Sequence, residues 1–238
     1  MARTVNQAAR AVRRDAFVEA AQGLIARKGY EGFSIQDLLG QVNASKGAFY
    51  HYFDSKQALL SAVIDDMTDS VLAIVEPVLS DPKRPAAEKF TYLFSTIGRW
   101  KAERSDLMFQ IIEVWLSDAN TVVREHLRAS VTERLTPILA AIVEQGARDG
   151  TVTAPDPPHT AIVFVSMLLA SQEAASRLFL AHRAGATTLD EVERTLLAYT
   201  SASERVLGVP PGTLPFIDRQ TLEFWFVTPT QSERESAA

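Results

Sequence analysis

The chain has 238 residues, 47% of them apolar, and a formal net charge of -5 at pH 7. This apolar content is ample for a folded core, and the absence of cysteine excludes disulfide bonds, thiolate nucleophiles and cysteine-built zinc sites. No run of about 18 apolar residues free of charged or polar breaks occurs, so the sequence predicts a soluble, cytoplasmic protein without a membrane partner.

The charge is unevenly distributed along the chain. Residues 1–56 contain eight Lys or Arg and five Asp or Glu, whereas residues 57–238 contain sixteen and twenty-four. A basic N-terminal part therefore precedes an acidic body. This pattern suits a nucleic-acid contact, but an ordinary solvated tail would show it as well.

Two helices are predicted first. Apolar residues between Val12 and Ile25 recur at helical spacing, and Gly29 ends that helix. Ser34 and Asp37 have the spacing of a capping box, which begins a short second helix that runs to about Val42.

A tight turn and two further helices follow. Asn43 tolerates positive φ, so it predicts a sharp turn into a third helix from about Ser45 to Tyr52. Asp54 and Gln57 repeat the capping-box spacing and predict a long fourth helix that ends near Leu79.

The remainder of the chain also has helical periodicity, and β-branched runs with period-2 alternation are missing. Helices are predicted at roughly 86–103, 106–117, 121–147, 157–182 and 188–207. The sequence thus predicts an all-α fold with an N-terminal arm and DNA-binding domain at 1–56, a helical ligand-binding and dimerisation domain at 57–212, and a tail at 213–238. In that tail LEFWFV is apolar and covers either a groove of its own body or a partner site, whereas QSERESAA is expected to fray.

The stretch NASKGAFYHYFDSK, residues 43–56, is the most informative one. Phe49 and Phe53, four residues apart, can anchor one face of the third helix. The other face then points outward, with Ser45, Lys46, Gly47, Ala48, Tyr50, His51 and Tyr52. Two short helices joined by a tight turn are typical of a helix-turn-helix, although a packed helical hairpin with aromatic filler would fit the spacing too.

Three segments between residues 13 and 60 resemble the N-terminal domain of the tetracycline-repressor (TetR/AcrR) family: AA..LIARKGYEGFSI, SKGAFYHYF and SKQALL. The resemblance implies a three-helix DNA-binding head, an all-helical ligand-binding body and a homodimer built from the last two body helices. By position it implies phosphate contacts from Ser34, Tyr50, His51 and Lys56, and places Ser45, Lys46, Gly47 and Ala48 nearest base edges. Val42-Asn43 and Leu38-Leu39 replace the usual Ala-Gly and Ile-Ala pairs of the family.

The body is interpreted from its apolar pattern. Aromatic and methionine residues at helical spacing are typical of plain core, but they also line small-molecule cavities between helices. The residues predicted to line a pocket are Phe94, Trp100, Phe109, Glu113, Trp115, Met167 and Gln172. Glu113 belongs either to this pocket or to the surface or dimer edge.

The last two predicted helices favour dimerisation, although an intramolecular core would look similar. Small residues allow close helix approach, and apolar residues of the final helix step by three and four as in a coiled coil. The predicted interface residues are Ala170, Ala174, Val192, Leu196, Tyr199 and Val206.

Together these features predict a transcriptional regulator and not an enzyme. It is expected to be a repressor released from a palindromic operator by a small hydrophobic inducer. The alternative is a helical small-molecule-binding or adaptor protein without sequence-specific DNA binding. The four histidines are isolated, with no spacing that would hold a metal, and no Gly-rich phosphate loop follows a strand, so no cofactor or metal is expected.

Overall fold

The computed structural model describes residues 2–227, with side chains from Arg10 onward, and the described part contains helices and no strand. The α-helices are α1 (Ala2–Lys28), α2 (Ile35–Val42), α3 (Lys46–Tyr50), α4 (Lys56–Leu79), α5 (Ala86–Ala102), α6 (Ser105–Trp115), α7 (Thr121–Asp149), α8 (Pro157–Arg183), α9 (Leu189–Leu207) and α10 (Arg219–Phe226). A 3₁₀ turn at Asp118–Asn120 leads into α7. The predicted all-α fold class is confirmed.

Most helix bounds lie within a few residues of the predicted ones, and two starts differ. Helix α1 begins at Ala2, well before the apolar stripe that predicted it. Helix α4 begins at Lys56, because the Ser55 hydroxyl accepts a hydrogen bond from the Ala58 backbone N–H at 3.0 Å. The predicted cap from Asp54 was therefore wrong, since the residue directly before the helix supplies it.

The chain divides into two compact units. The first comprises residues up to Asp69 together with Arg104–Leu127, and the second comprises Ser70–Glu103 and the chain from Arg128 onward. Helices α4 and α7 each contribute residues to both units. The functional division at residues 56 and 212 stays a prediction.

The first unit is held together around α1. Helix α1 packs against both α2 and α6. Polar contacts add to this packing: Gln22 on α1 donates to Asp66 on α4 at 2.8 Å, and Gln57 on α4 donates to the Ala119 carbonyl at 2.9 Å. The start of α4 is thereby joined to α1 and to the turn before α7.

The second unit has an apolar core between α5, α7 and α8. Phe90 and Leu93 of α5, Leu139 and Ile142 of α7 and Phe164 of α8 are among its fully buried members. Helices α8 and α9 pack along each other, as expected for a helical hairpin. By length and composition α8 is also apolar enough to cross a membrane, a test that core helices of soluble proteins pass as well.

The C-terminal segment packs on its own body. Leu222 of α10 is buried against Val192 and Leu196 of α9, and the Phe226 ring lies 5.9 Å from that of Phe179 on α8. Arg219 holds α10 to α9 through ion pairs with Asp190 and Glu193 at 3.1 and 2.6 Å. Of the two interpretations of LEFWFV, the structure supports the groove of its own body. QSERESAA lies outside the described residues.

Candidate nucleic-acid interface

The capping box at the start of α2 is present. The Ser34 hydroxyl accepts from the Asp37 backbone N–H at 3.1 Å, and the Asp37 carboxylate accepts from the Ser34 N–H at 2.8 Å. Lys28 adds an ion pair to the same carboxylate at 2.9 Å. Hydrogen bonds from Ser34 and then from Lys28 hold the pKa of Asp37 well below its usual range. The capping box therefore provides hydrogen-bond acceptors for the backbone N–H groups of Ser34 and Asp37, which have no partner within the helix.

The turn between α2 and α3 depends on Asn43. It adopts the left-handed conformation, with φ 47° and ψ 55°, as predicted, and the next N–H, that of Ala44, bonds to the Leu39 carbonyl at 3.0 Å. Ser45 then caps α3 by accepting from the Ala48 N–H at 3.2 Å. Since asparagine tolerates this conformation better than most residues, it supports the turn without a glycine.

A cluster of three phenylalanines fixes how α3 is rotated. We call Phe17, Phe49 and Phe53 the aromatic anchor. Their ring centroids are 5.9 Å (Phe17 to Phe49), 6.1 Å (Phe17 to Phe53) and 5.6 Å (Phe49 to Phe53) apart, within the range of favourable aromatic pairs. Phe49 has no exposed surface and Phe53 is buried as well. The predicted anchoring role of both residues is confirmed.

The opposite face of α3 is open to solvent. Tyr50 is 45% exposed, and His51, Lys46, Ser45 and Gly47 are exposed too. Ala48 is half-buried, and Ser34 is exposed at the start of α2. Seven of the eight predicted DNA contacts thus lie on or beside one helix-turn-helix surface.

Tyr52 does not belong to this exposed face, contrary to the prediction. Its ring is half-buried and lies 5.9 Å from that of Phe17. The reason is that Tyr52 is three positions after Phe49, and residues three apart on a helix lie on nearly the same side, here the side that packs on Phe17. The Arg10 guanidinium lies 5.9 Å from the Tyr52 ring and brings a positive charge beside the end of α3.

Lys56, the eighth predicted contact, has a structural role that the spacing did not reveal. Its ammonium group donates to the Phe33 carbonyl at 2.7 Å and lies 4.6 and 4.4 Å from the ring centroids of Tyr30 and Phe33. Burial lowers its pKa, and the nearby Glu31 charge opposes that shift. Lys56 therefore ties the start of α4 to the segment between α1 and α2, and its phosphate contact stays a prediction.

Comparisons with known proteins agree with this geometry. The family model for bacterial regulatory proteins of the tetR family matches residues 17–63. An uncharacterised HTH-type transcriptional regulator encoded in the lacX 3′ region of Lactococcus lactis subsp. lactis is 31% identical over 134 residues, which cover 49% of this chain and 68% of that protein. The chain belongs to the TetR family of transcriptional regulators. Its helix-turn-helix is the DNA-binding element of such regulators.

One further relative and two solved structures match a larger part of the chain. The HTH-type transcriptional repressor DhaR of Mycobacterium sp. (strain GP1) is 25% identical over 139 residues, 58% of this chain and 69% of its own. The crystal structure of RolR with resorcinol has a TM-score of 0.58 at 18% identity and covers 95% of this chain and 99% of RolR. The regulatory protein TetR from Rhodobacter sphaeroides has a TM-score of 0.53 at 18% identity, covering 81% and 97%. At this identity the structural matches show a shared fold alone.

The predicted pocket residues are divided between the two units. Phe109, Glu113 and Trp115 belong to the first unit, where Phe109 is buried and Glu113 is exposed. Phe94, Trp100, Met167 and Gln172 belong to the second. The pocket therefore stays a prediction for this TetR-family chain.

Sequence reasoning missed one residue beside this second group. Lys101, in the last turn of α5, donates a hydrogen bond to Gln172 Oε1 on α8 at 2.5 Å. Burial lowers the pKa of Lys101 to about 8. A lysine near a helix C-terminus is ordinarily solvated there, so no signal in the sequence marks this contact between residues 71 positions apart.

The predicted dimer residues also differ in their surroundings. Val192 and Leu196 are buried under α10 of the same chain, so they contribute to its own core. Ala170, Ala174, Tyr199 and Val206 keep part of their surface exposed.

The aromatic anchor predicts that alanine substitutions at two adjacent residues of α3 lower the free energy of unfolding by very different amounts. Phe49→Ala leaves a cavity among buried rings and should lower the free energy of unfolding by about 3–5 kcal/mol. Tyr50→Ala removes a largely exposed ring and should cost less than about 1 kcal/mol. Urea unfolding followed by circular dichroism measures both; similar losses for the two variants would contradict the assigned rotation of α3.

The contacts of Lys56 with the Phe33 carbonyl and with two aromatic rings are expected to stabilise the fold in the absence of DNA. Lys56→Met loses the bond to the Phe33 carbonyl and the contacts with two rings, which should cost about 1–2 kcal/mol. Lys46→Met, on the exposed face, is the matched control and should change stability by less than about 0.5 kcal/mol. If Lys56→Met unfolds at the same urea concentration as the wild type, the contacts of Lys56 do not contribute to stability.

Proposed function

We propose that the protein is a cytoplasmic, ligand-responsive repressor that binds a palindromic operator as a homodimer and leaves it when a small hydrophobic inducer binds its body. The observation that carries the proposal is the exposed face of α3, held outward by the aromatic anchor. Lys46, Tyr50 and His51 on this face have the side-chain types that contact phosphates and base edges.

Gly47 gives separate support for a close partner. A Cβ added there would meet only the Ser45 hydroxyl oxygen, at 4.0 Å, and the residue is helical. The fold itself therefore does not require glycine at this position. A helix that approaches base edges closely does benefit from the missing side chain, which favours DNA binding over the adaptor alternative.

Repression is favoured over activation by the relative DhaR, whose name describes a transcriptional repressor. An inducer releases DNA only if it binds the DNA-free conformer more tightly than the DNA-bound one. For efficient release that preference must amount to a few kcal/mol.

Apolar side chains on α8 and α9 support the homodimer. Ile162 and Val163 on α8 are 45% and 47% exposed, and Leu197 on α9 is 47% exposed. Ala170 and Ala174, partly exposed on α8, allow another helix to approach closely. A second copy meeting this face would form a four-helix interface across a two-fold axis. In such a dimer two recognition helices read half-sites about 34 Å apart, one turn of DNA.

The first functional experiment is the selection of binding sites from a random duplex pool, followed by titration of the selected site. Wild-type protein should enrich an inverted repeat. Lys46→Met should weaken binding to all sequences and reduce the slope of log K against log salt by about 0.9, the effect of one lost phosphate contact. Lys83→Met, an exposed lysine of the loop after α4, is the control and should leave the slope unchanged.

Two results would contradict DNA recognition by α3. One is the absence of any enriched sequence at low and moderate salt. The other is an equal loss of slope in the Lys46 and Lys83 variants, which would indicate attraction by overall charge instead of a defined contact.

The proposed dimer is tested by introducing a charge on the exposed apolar face of α8. Val163→Glu places a carboxylate in an apolar interface and should shift the dimer to monomer in sedimentation velocity, with loss of binding to the two-half-site operator. Val122→Glu, at an 80% exposed valine at the start of α7, should remain dimeric. A Val163→Glu protein that sediments like the wild type would exclude this face of α8.

A further inference from the structure

Three arginines lie on one face of α1, before the part of the helix that packs on α3. Arg10, Arg13 and Arg14 stand seven, four and three residues before Phe17, and positions with this spacing share one side of a helix. Phe17 belongs to the aromatic anchor and contacts Phe49 of α3. The arginines therefore continue, toward the N-terminus, the side of α1 that faces α3. We call these three residues the α1 arginine face.

Aromatic rings at the end of α3 hold two of these side chains. The Arg10 guanidinium lies 5.9 Å from the centroid of the Tyr52 ring, and that of Arg14 lies 5.7 Å from the centroid of the Phe53 ring. A guanidinium group is attracted to the face of an aromatic ring at such distances. Arg10 and Arg13 are exposed and Arg14 is half-buried. The face is thus positioned beside the end of α3 and stays accessible to a partner.

The positive charge of this face is scarcely compensated by the protein. The chain has no Asp or Glu before Asp15, and none at residues 43–53. Among the residues whose side chains the structure describes, Arg10 and Arg13 form no ion pair, and Arg14 pairs with Asp15 at 3.8 Å with both side chains largely exposed. Such an exposed pair is screened by solvent. Positive charges gathered without counter-charges attract a polyanion.

The shortness of α3 places this face near the phosphates of a bound duplex. Five residues span about 7.5 Å, whereas the major groove is about 12 Å wide. A recognition helix contacts base edges with its N-terminal residues. Groups just beyond the other end of so short a helix therefore come close to the sugar-phosphate backbone that borders the groove. Arg10 lies there, beside Tyr52, two residues after the end of α3.

We infer that the α1 arginine face is a second DNA contact, which binds phosphates bordering the major groove that α3 enters. Arg10 and Arg13 make the contacts, since a guanidinium group can donate two parallel hydrogen bonds to one phosphate. Tyr52 is a positioning residue that holds the Arg10 guanidinium beside the end of α3. The contact adds affinity without sequence discrimination, because phosphates carry no sequence information. The inference rests on the proposed DNA binding and extends it to a surface outside the helix-turn-helix.

The first test measures the salt dependence of binding to the selected duplex by the full chain. The double substitution Arg10→Gln/Arg13→Gln should reduce the slope of log K against log salt by about 0.9 for each lost phosphate contact and weaken binding at low salt at least about tenfold. The sequence that the protein enriches should not change. Lys83→Gln/Arg148→Gln removes the same charge from exposed positions of the second unit and should leave the slope unchanged.

Ethylation of single phosphates locates the contacts. Phosphates whose ethylation blocks binding of the wild type but not of the double arginine variant should form one cluster in each half-site, beside the enriched base pairs. Arg10→Lys/Arg13→Lys should keep this cluster, because lysine also binds phosphate as a point charge. Tyr52→Phe keeps the ring beside Arg10 and should keep the cluster, whereas Tyr52→Leu removes the ring and should weaken interference at the cluster alone.

The same salt slope and the same interference pattern in the wild type and the double arginine variant would overturn the inference, as expected if the arginines met an acidic protein surface instead. An equal loss of slope in the Lys83/Arg148 control would overturn it too, since overall charge would then explain the effect. Loss of the cluster in the lysine variant would contradict a phosphate contact.

The slope is also measured on a duplex that lacks the repeat, so the test does not depend on sequence recognition by α3. If no sequence is enriched but the double arginine variant still has the smaller slope, the proposed regulator is contradicted and the α1 arginine face remains a DNA contact. If a repeat is enriched and the slopes are equal on both duplexes, α3 recognises DNA and the arginine face does not.

Discussion

The packing of Phe49 between Phe17 and Phe53 is the contact on which the DNA-binding surface depends. Helix α3 has only five residues, too few to be stable alone, so its position and rotation are set by tertiary packing. With Phe49 fully buried, the neighbours at Lys46 and Tyr50 must face solvent. Burial of the Phe49 ring thus fixes the position of a helix that is marginal alone and orients its polar side chains toward solvent, as a recognition helix requires.

Polar contacts around this anchor complete the positioning. The capping box fixes the start of α2, Asn43 sets the turn, and Lys56 joins the start of α4 to the Phe33 carbonyl. The exposed ion pair between Lys28 and Asp37 adds little by itself, because solvent screens it. Lys56 matters more, since it is half-buried and combines a hydrogen bond with contacts to two rings.

Features coded by neighbouring residues were predictable from the sequence, whereas contacts between distant residues were not. Caps, glycines and helical periodicity located α5 to α9 within a few residues, and the spacing of Phe49 and Phe53 predicted which face of α3 is buried. The hydrogen bond of Lys56 joins residues 23 positions apart, and the hydrogen bond of Lys101 joins residues 71 positions apart. No local sequence pattern predicts either contact. Helix α10 was missed for a related reason: its eight residues are held by Val192 and Leu196 of α9, and tertiary packing, not propensity, decides such short helices.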